Sequence, residues 1–438
     1  MSTVTPPTAS EPSADPFQAI ASVHRRLIPF LCLLFVVNYV DRTNVAMAKL
    51  EMLADAHLTE AAYGLGAGLF FIGYFFFELP SNLILHRVGA RRWIARIMIS
   101  WGICSMAMLL THSARSFYAL RFLLGIAEAG FFPGIVLYLT YWIPANRRAR
   151  TLALFFTSLA VSGVIGSPLA GALMKMEGIG HLHGWQWLFF LEGLPPVALG
   201  MAILWTNLLP DGPAHAVWLT LPQRQWLEQE LRRDAGGRQV MHVSELRVAA
   251  DGRLILLSLI YFLIVMGVYG FVYFMPTLIK AMTRASDAKV GLWSAIPYLL
   301  AAVGMVTIGA HSDRGGHRRG PVAICALIGA IGLAIVAESR SPATGITGLI
   351  VAAVGIFGTL GPFWSIPTNY LRGAAAAGGI AVINSIGNLG GFVAPAIIGW
   401  VKNRTGSFTD GLLVGTASLV GASILVLCVP GSACEPEL

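Results

Sequence analysis

The sequence predicts an all-α integral membrane protein of about twelve transmembrane helices, arranged as two pseudo-symmetric six-helix bundles. Three observations carry that prediction. The chain of 438 residues is 56% hydrophobic and only 12% charged, with a mean hydropathy of +0.69, far too apolar for a soluble chain. Its apolar stretches recur at the length a bilayer-spanning helix needs, about 20 residues. A basic loop motif and a proline motif each occur twice at one constant spacing. The 48 glycines suit the same class, because small residues let membrane helices approach closely.

Taken in order, the spans are 27–48, 62–85, 93–111, 117–143, 150–174, 187–209, 253–275, 290–310, 321–338, 345–368, 376–401 and 411–430. Residues 1–23 are rich in Ser, Thr, Pro and Ala and are expected to be a disordered cytoplasmic segment. The expected domains follow: a six-helix bundle over 24–209, a cytoplasmic loop over 210–252, a second bundle over 253–430 and a short tail over 431–438. Within the loop, Thr220 and Gln223 have capping-box spacing, and Trp226, Leu227 and Leu231 give an amphipathic face. That helix either lies on the membrane surface or is a solvated tether.

The net charge of +8 is topogenic and points away from nucleic acid. With the N-terminus in the cytoplasm, arginines crowd the inner segments, from Arg25 and Arg26 through Arg87–Arg96 and Arg147–Arg150 to Arg314–Arg319 and Arg372. The outer loops hold fewer basic residues, as the positive-inside rule requires. All five lysines fall toward the outer side. Five scattered cysteines without a CxxC give neither a metal site nor a disulfide framework.

"HRVGARR" at 86–92 recurs as "DRGGHRR" at 313–319. Arg87, Gly89, Arg91 and Arg92 map onto Arg314, Gly316, Arg318 and Arg319, and at the same offset Pro168 meets Pro395. Parallel repeats about an axis along the membrane normal are a known transporter plan. The loop set Arg87, Gly89, Arg91, Arg92, Asp313 and Arg314 is expected to latch the halves together during gating. His86 replaces the acid in the first copy, so that latch is altered.

Both loops resemble the signature of the major facilitator superfamily. "NYVDRTN", "GYFFFELPSNLI", "RFLLGIAEAGFFPG", "YWIPANRRAR" and "NSIGNLGGFVAP" are similar to its anion:cation symporter family, over residues 24–430. Within that family the tartrate, 4-hydroxyphenylacetate and nicotinate transporter branch is the nearest likeness. The resemblance implies the major facilitator fold, a carboxylate substrate and proton coupling through a first-helix aspartate and arginine and a fourth-helix glutamate.

The residues themselves point the same way. Asp41 and Arg42 lie inside the first span, and Arg121 and Glu128 lie two turns apart in the fourth. A charge at the bilayer centre costs about 2.5–3.5 kcal/mol, so it persists where it faces a partner or a cavity. At the repeat offset Asp41 meets Val268, Arg121 meets Gly348 and Glu128 meets Gly355. Charges confined to one half suit function better than fold. Arg offers a carboxylate a planar fork that cannot lose its proton, while buried carboxylates hold protons at neutral pH. Arg42 and Arg121 are therefore candidate anion binders, and Asp41 and Glu128 candidate proton carriers. The bland alternatives are a snorkelling Arg121 and a permanently paired Glu128. Tyr39, Tyr74, Trp364, Ser365, Asn384 and Asn388 could complete the pocket, with Phe75, Phe76 and Phe77 as an apolar wall for an aromatic acid. Glu78, before Pro80, is expected to be structural.

The functional expectation is a monomeric secondary transporter in a bacterial inner membrane. Both termini are placed in the cytoplasm, and protons drive uptake of a small hydroxy or aromatic carboxylate without a cofactor. A membrane sensor of the same ligands is the rival. A membrane enzyme would need a nucleophile–base pair or metal ligands, and no HExxH appears; a pump driven by ATP would need GxxxxGK[ST], which is absent.

Overall fold

The computed structural model describes residues 16–236, 252–315, 318–370 and 374–430. Arg238, Arg247, Gly316 and Arg372 lie outside these, as do the side chains of Asp313 and Arg314. Among the described residues the chain is all helical and carries twelve helical segments long and apolar enough to span a membrane, matching the expected spans one for one.

In the first half the helices are α1 Pro16–Arg26, α2 Ile28–Asp55, α3 Glu60–Val88, α4 Ala90–Ala107, α5 Ala114–Glu128, α6 Phe131–Thr140, α7 Ala145–Leu173 and α8 Gly184–Trp205. The linker forms α9 Leu221–Gly236. The second half comprises α10 Gly252–Thr283, α11 Asp287–Gly315, α12 Arg319–Ala337, α13 Pro342–Gly358, α14 Leu360–Tyr370, α15 Ala374–Asn388, α16 Gly390–Thr405 and α17 Phe408–Leu427. Residues 16–23 are thus helical rather than disordered; Ile20 and Val23 are buried and give α1 an inner face. The linker helix has its expected reciprocal cap, Thr220 and Gln223 exchanging bonds of 3.2 and 3.4 Å. Leu227 is buried, with α9 set against α1, so its apolar face is at least partly protein-covered.

Start signals sit where the loops end. Thr59 and Ser341 accept from the amides of Ala62 and Thr344, and Ser113 and Ser116 form a capping box at α5. The fourth span is broken. Gly130 adopts φ +85°, a left-handed conformation that favours glycine, and its missing side chain leaves room for Ser81. The break ends α5 at Glu128, so that carboxylate stands at a helix C-terminus, where the dipole disfavours an anion without a partner. The tenth span is divided between α13 and α14 at Thr359, whose backbone stays right-handed at φ −69°.

Close packing depends on backbone approach. In the second half, a Cβ at Gly355 of α13 would strike the backbone of Gly329 on α12. Gly355→Val is expected to cost about 1–3 kcal/mol through overpacking, seen as a lower melting temperature in detergent; an unchanged one would contradict the crossing. Between the halves, Gly64 abuts the Pro395 carbonyl, Gly399 that of Glu60, and Gly291 that of Ser167. These contacts join α3 to α16 and α7 to α11 at the end remote from the arginine-rich loops.

Lys49 lies at that remote end, but it is not a loop residue. It is buried, pairs with Glu60 at 2.8 Å, and sits over the rings of Tyr63, Phe274 and Phe408 at 4.4–5.0 Å. Lys280 pairs with Asp287 at 2.6 Å, and Lys402 lies over Phe408. Three of the five lysines therefore hold ion pairs or cation–π contacts where the halves meet.

Arg91, one of the expected latch residues, bonds within its own half. Arg91 donates from Nε to the Ile203 carbonyl at 3.0 Å and from Nη2 to that of Leu204 at 2.8 Å, while its amide donates to Asp211 at 2.8 Å. It therefore caps the end of α8 within its own half, and Asp211 supplies the acid that the motif lacks at His86. Arg319 caps the chain beyond α17 in the same way, donating to the Val429 carbonyl at 2.7 Å. Gly89, at φ +95°, turns the chain against Asp211. Arg87 and Arg92 make no inter-half bond among those described.

Candidate functional site

One face of α3 acts as a ruler for the site. Tyr63, Ala67, Phe70, Tyr74 and Glu78 follow helical spacing over 15 residues, about 22 Å of rise. Tyr63 marks the remote end and donates to the Tyr273 carbonyl at 3.1 Å. Phe70 and Tyr74 mark the middle, and Glu78 the loop side.

Both predicted arginines meet at the middle level. Arg42 pairs with Glu128 through Nη2 and also donates from Nε at 3.0 Å. Its Nη1 reaches the Tyr269 hydroxyl at 3.4 Å. The guanidinium lies 5.2 Å from the Phe70 ring centre and 5.3 Å from that of Tyr74. Arg121 lies over the same Phe70 ring at 5.0 Å and donates to the Ala67 carbonyl and the Tyr273 hydroxyl at 3.2 and 3.4 Å. It is fully buried and does not snorkel; its Nε and Nη1 have no hydrogen-bond partner. Arg42 and Arg121 thus each reach a tyrosine of α10 in the second half. The Arg42 side chain is 12% exposed and that of Glu128 is 0%.

Asp41 does not face this centre. One residue before Arg42, it is turned by α2 into the first bundle, where it accepts from Ser105 and from Asn44 at 3.2 Å. The charges are neighbours in sequence but about 100° apart on the helix.

The second-half candidates divide. Asn384 is buried and donates to Glu78 at 3.1 Å, and Ser385 donates to the same carboxylate at 3.2 Å. Asn384 is thereby held by a first-half acid, and Glu78, expected to be merely structural, joins the halves on the loop side. Trp364 packs edge-on to Tyr261 at 4.8 Å, while Ser365 donates back to Gly361. Asn388 is half-buried one turn beyond Asn384. Tyr39 is buried, its hydroxyl without a partner. Phe76 and Phe77 are 62% and 42% exposed; the phenylalanines beside Arg42 and Tyr269 are Phe70 and Phe71.

If Glu78 and Asn384 form a true inter-half bond, Glu78→Ala and Asn384→Ala will not be additive. A double-mutant cycle on thermal stability is expected to give a coupling of about 0.5–3 kcal/mol. Strict additivity would remove the latch.

The sequence signals for Tyr261, Tyr269 and Tyr273 were present but unread: they recur at i, i+8 and i+12 along one face of an apolar span. Glu192 on α8 also escaped notice, although it too is a lone acid in a span, with Leu419 at the repeat offset.

Two helical bundles joined around buried arginines are the plan of a membrane transporter. The chain belongs to the Major Facilitator Superfamily, whose family model matches residues 31–395. It is 47% identical, over 93% of this chain and 90% of the relative, to an Agrobacterium vitis protein named provisionally as a tartrate transporter. It is 44% identical to a quinolone resistance transporter of Acinetobacter baumannii, over 90% of each chain. It is 42% identical to NicT of Pseudomonas putida, named provisionally as a metabolite transport protein, over 92% of this chain and 93% of the relative. These relatives are consistent with the anion:cation symporter branch. Among solved structures, the inward-open xylose transporter XylE of E. coli superposes with a TM-score of 0.72 at 15% identity, covering 95% of this chain and 98% of that one. At that identity the likeness is one of fold.

Proposed function

We propose that the protein is a secondary active transporter that takes up a small organic carboxylate together with protons, tartrate or a related hydroxy acid being the first choice. The observation that carries this reading is the Arg42–Glu128 pair, buried between the halves with only the arginine open to a ligand. A substrate carboxylate offers Arg42 the same fork that Glu128 now occupies. Once Arg42 turns to the substrate carboxylate, Glu128 is a buried carboxylate at a helix C-terminus that has lost its bonded partner, and in this reading it takes up a proton. Substrate and proton therefore bind together. Tyr269 and Tyr273 report this occupancy to the second half through their contacts with Arg42 and Arg121. The gap between ends sealed by Lys49 and by Glu78 then opens alternately. The relatives named for tartrate and metabolite transport support the substrate class.

An aromatic carboxylate of the nicotinate, 4-hydroxyphenylacetate or phthalate type is the second reading. The rings of Phe70, Tyr74 and Tyr269 beside Arg42 favour it, because they can stack on a flat substrate. We propose cytoplasmic termini, on the distribution of arginine, and expect a monomer in a bacterial inner membrane. Labelled tartrate and nicotinate offered to proteoliposomes under an imposed proton gradient test both readings. Accumulation of one, competed by its unlabelled form, is expected. Accumulation of neither, with a neutral sugar carried instead, would overturn the carboxylate assignment.

A further inference from the structure

Asp41 has an acidic neighbour that no step above uses. Glu192 lies midway along α8, in "FFLEGLPP", and is 5% exposed. Neither of its carboxylate oxygens has a hydrogen-bond partner. The groups that face it are Asp41 and Asn44 on α2. Asp41 is fully buried; its Oδ1 accepts from Ser105 and Asn44, and its Oδ2 is unpartnered.

The surroundings supply no cation bonded to either acid. Arg42 is held by Glu128 and Tyr269, and Arg121 by Ala67 and Tyr273. The other groups near Asp41 are Trp101, on α4, whose ring N–H is unbonded, and Glu128 and Arg121, on α5. Cys104 of α4 is also close to it. α7, packed on α2, has no titratable residue between Phe155 and Leu173.

Two carboxylates facing each other in a dry bundle, with no bonded cation, do not both ionise. We infer that Asp41 and Glu192 hold one proton between them, and that this pair supplies the proton that Glu128 takes up when substrate claims Arg42. The hydrogen-bond donors decide where the proton rests. Ser105 and Asn44 donate to Asp41, which keeps the charge; Glu192, with neither oxygen hydrogen-bonded, carries the proton. In the transfer, the pair loses its proton, the freed Glu128 carboxylate gains it, and a proton from solution refills the pair.

This inference rests on the proton-coupled carboxylate reading, so the wild-type protein is tested first. If wild-type proteoliposomes show no uptake driven by a proton gradient, that reading has failed. Given wild-type uptake, Glu192→Gln is expected to slow proton-driven uptake and substrate-induced proton inflow by about tenfold or more, with exchange of labelled for unlabelled substrate reduced far less. Glu192→Asp should restore part of the rate with a shifted pH profile. Wild-type rates and pH profile in Glu192→Gln would overturn the inference, as would uptake driven by sodium and lost in that variant. Should Glu192→Gln show neither exchange nor a melting transition, the unmodified protein decides. Dicyclohexylcarbodiimide attacks protonated carboxylic acids in apolar surroundings, and peptide mapping is expected to find the adduct on Glu192. Adducts confined to Glu78 or Glu128 would count against the pair.

Discussion

Arg42→Lys is expected to weaken substrate binding about ten- to a hundredfold while keeping the positive charge. Arg42 uses three donors at once, two on Glu128 and one on Tyr269, and lies against two rings. A lysine ammonium is a point charge on a flexible stem and cannot hold that fork. Losing one charge-assisted hydrogen bond costs about 1.5–3 kcal/mol, which sets the range. Titration of purified protein with tartrate, read by thermal shift or calorimetry, measures it. Affinity within twofold of wild type would remove Arg42 from the binding site.

Glu128→Gln should separate binding from energy coupling. The amide mimics the protonated acid, so Arg42 is no longer held by a carboxylate and remains open to substrate. Exchange across the membrane needs no net proton movement and should continue. Uphill accumulation should fail, because no proton is taken up and released at this position. Each proton lost from the cycle lowers the attainable accumulation about tenfold for each pH unit of gradient. Undiminished accumulation would exclude Glu128 from coupling, and loss of exchange as well would make it a binding or structural residue. The Glu192 pair complicates only the rate, since coupled carboxylates titrate together.

The twelve spans were legible because a bilayer enforces length and apolarity locally, residue by residue. Arg42, Arg121 and Glu128 were legible because a charge inside such a span stands out. What could not be read is partnership. Asn384 finds Glu78 across 306 positions of sequence, and nothing local marks that distance. Asp41 and Arg42 looked like one site because they are adjacent; the helical turn sends one into the bundle and the other between the halves. Arg91 looked like a latch between halves, yet the carbonyls left open at the end of α8 claim it first. Lys49 was counted as a loop charge because the first helix runs to Asp55, well beyond the apolar stretch that marks the span.

The exchange of carboxylates on Arg42 is the centre of the account, and proton uptake on binding tests it most directly. Calorimetric titration of the purified transporter with tartrate, repeated in buffers of different ionisation enthalpy, counts protons taken up per substrate bound. The account predicts uptake by the wild type that approaches one proton per site and is abolished in Glu128→Gln, which still binds. Binding with no proton uptake in the wild type, or equal uptake in both proteins, would contradict it.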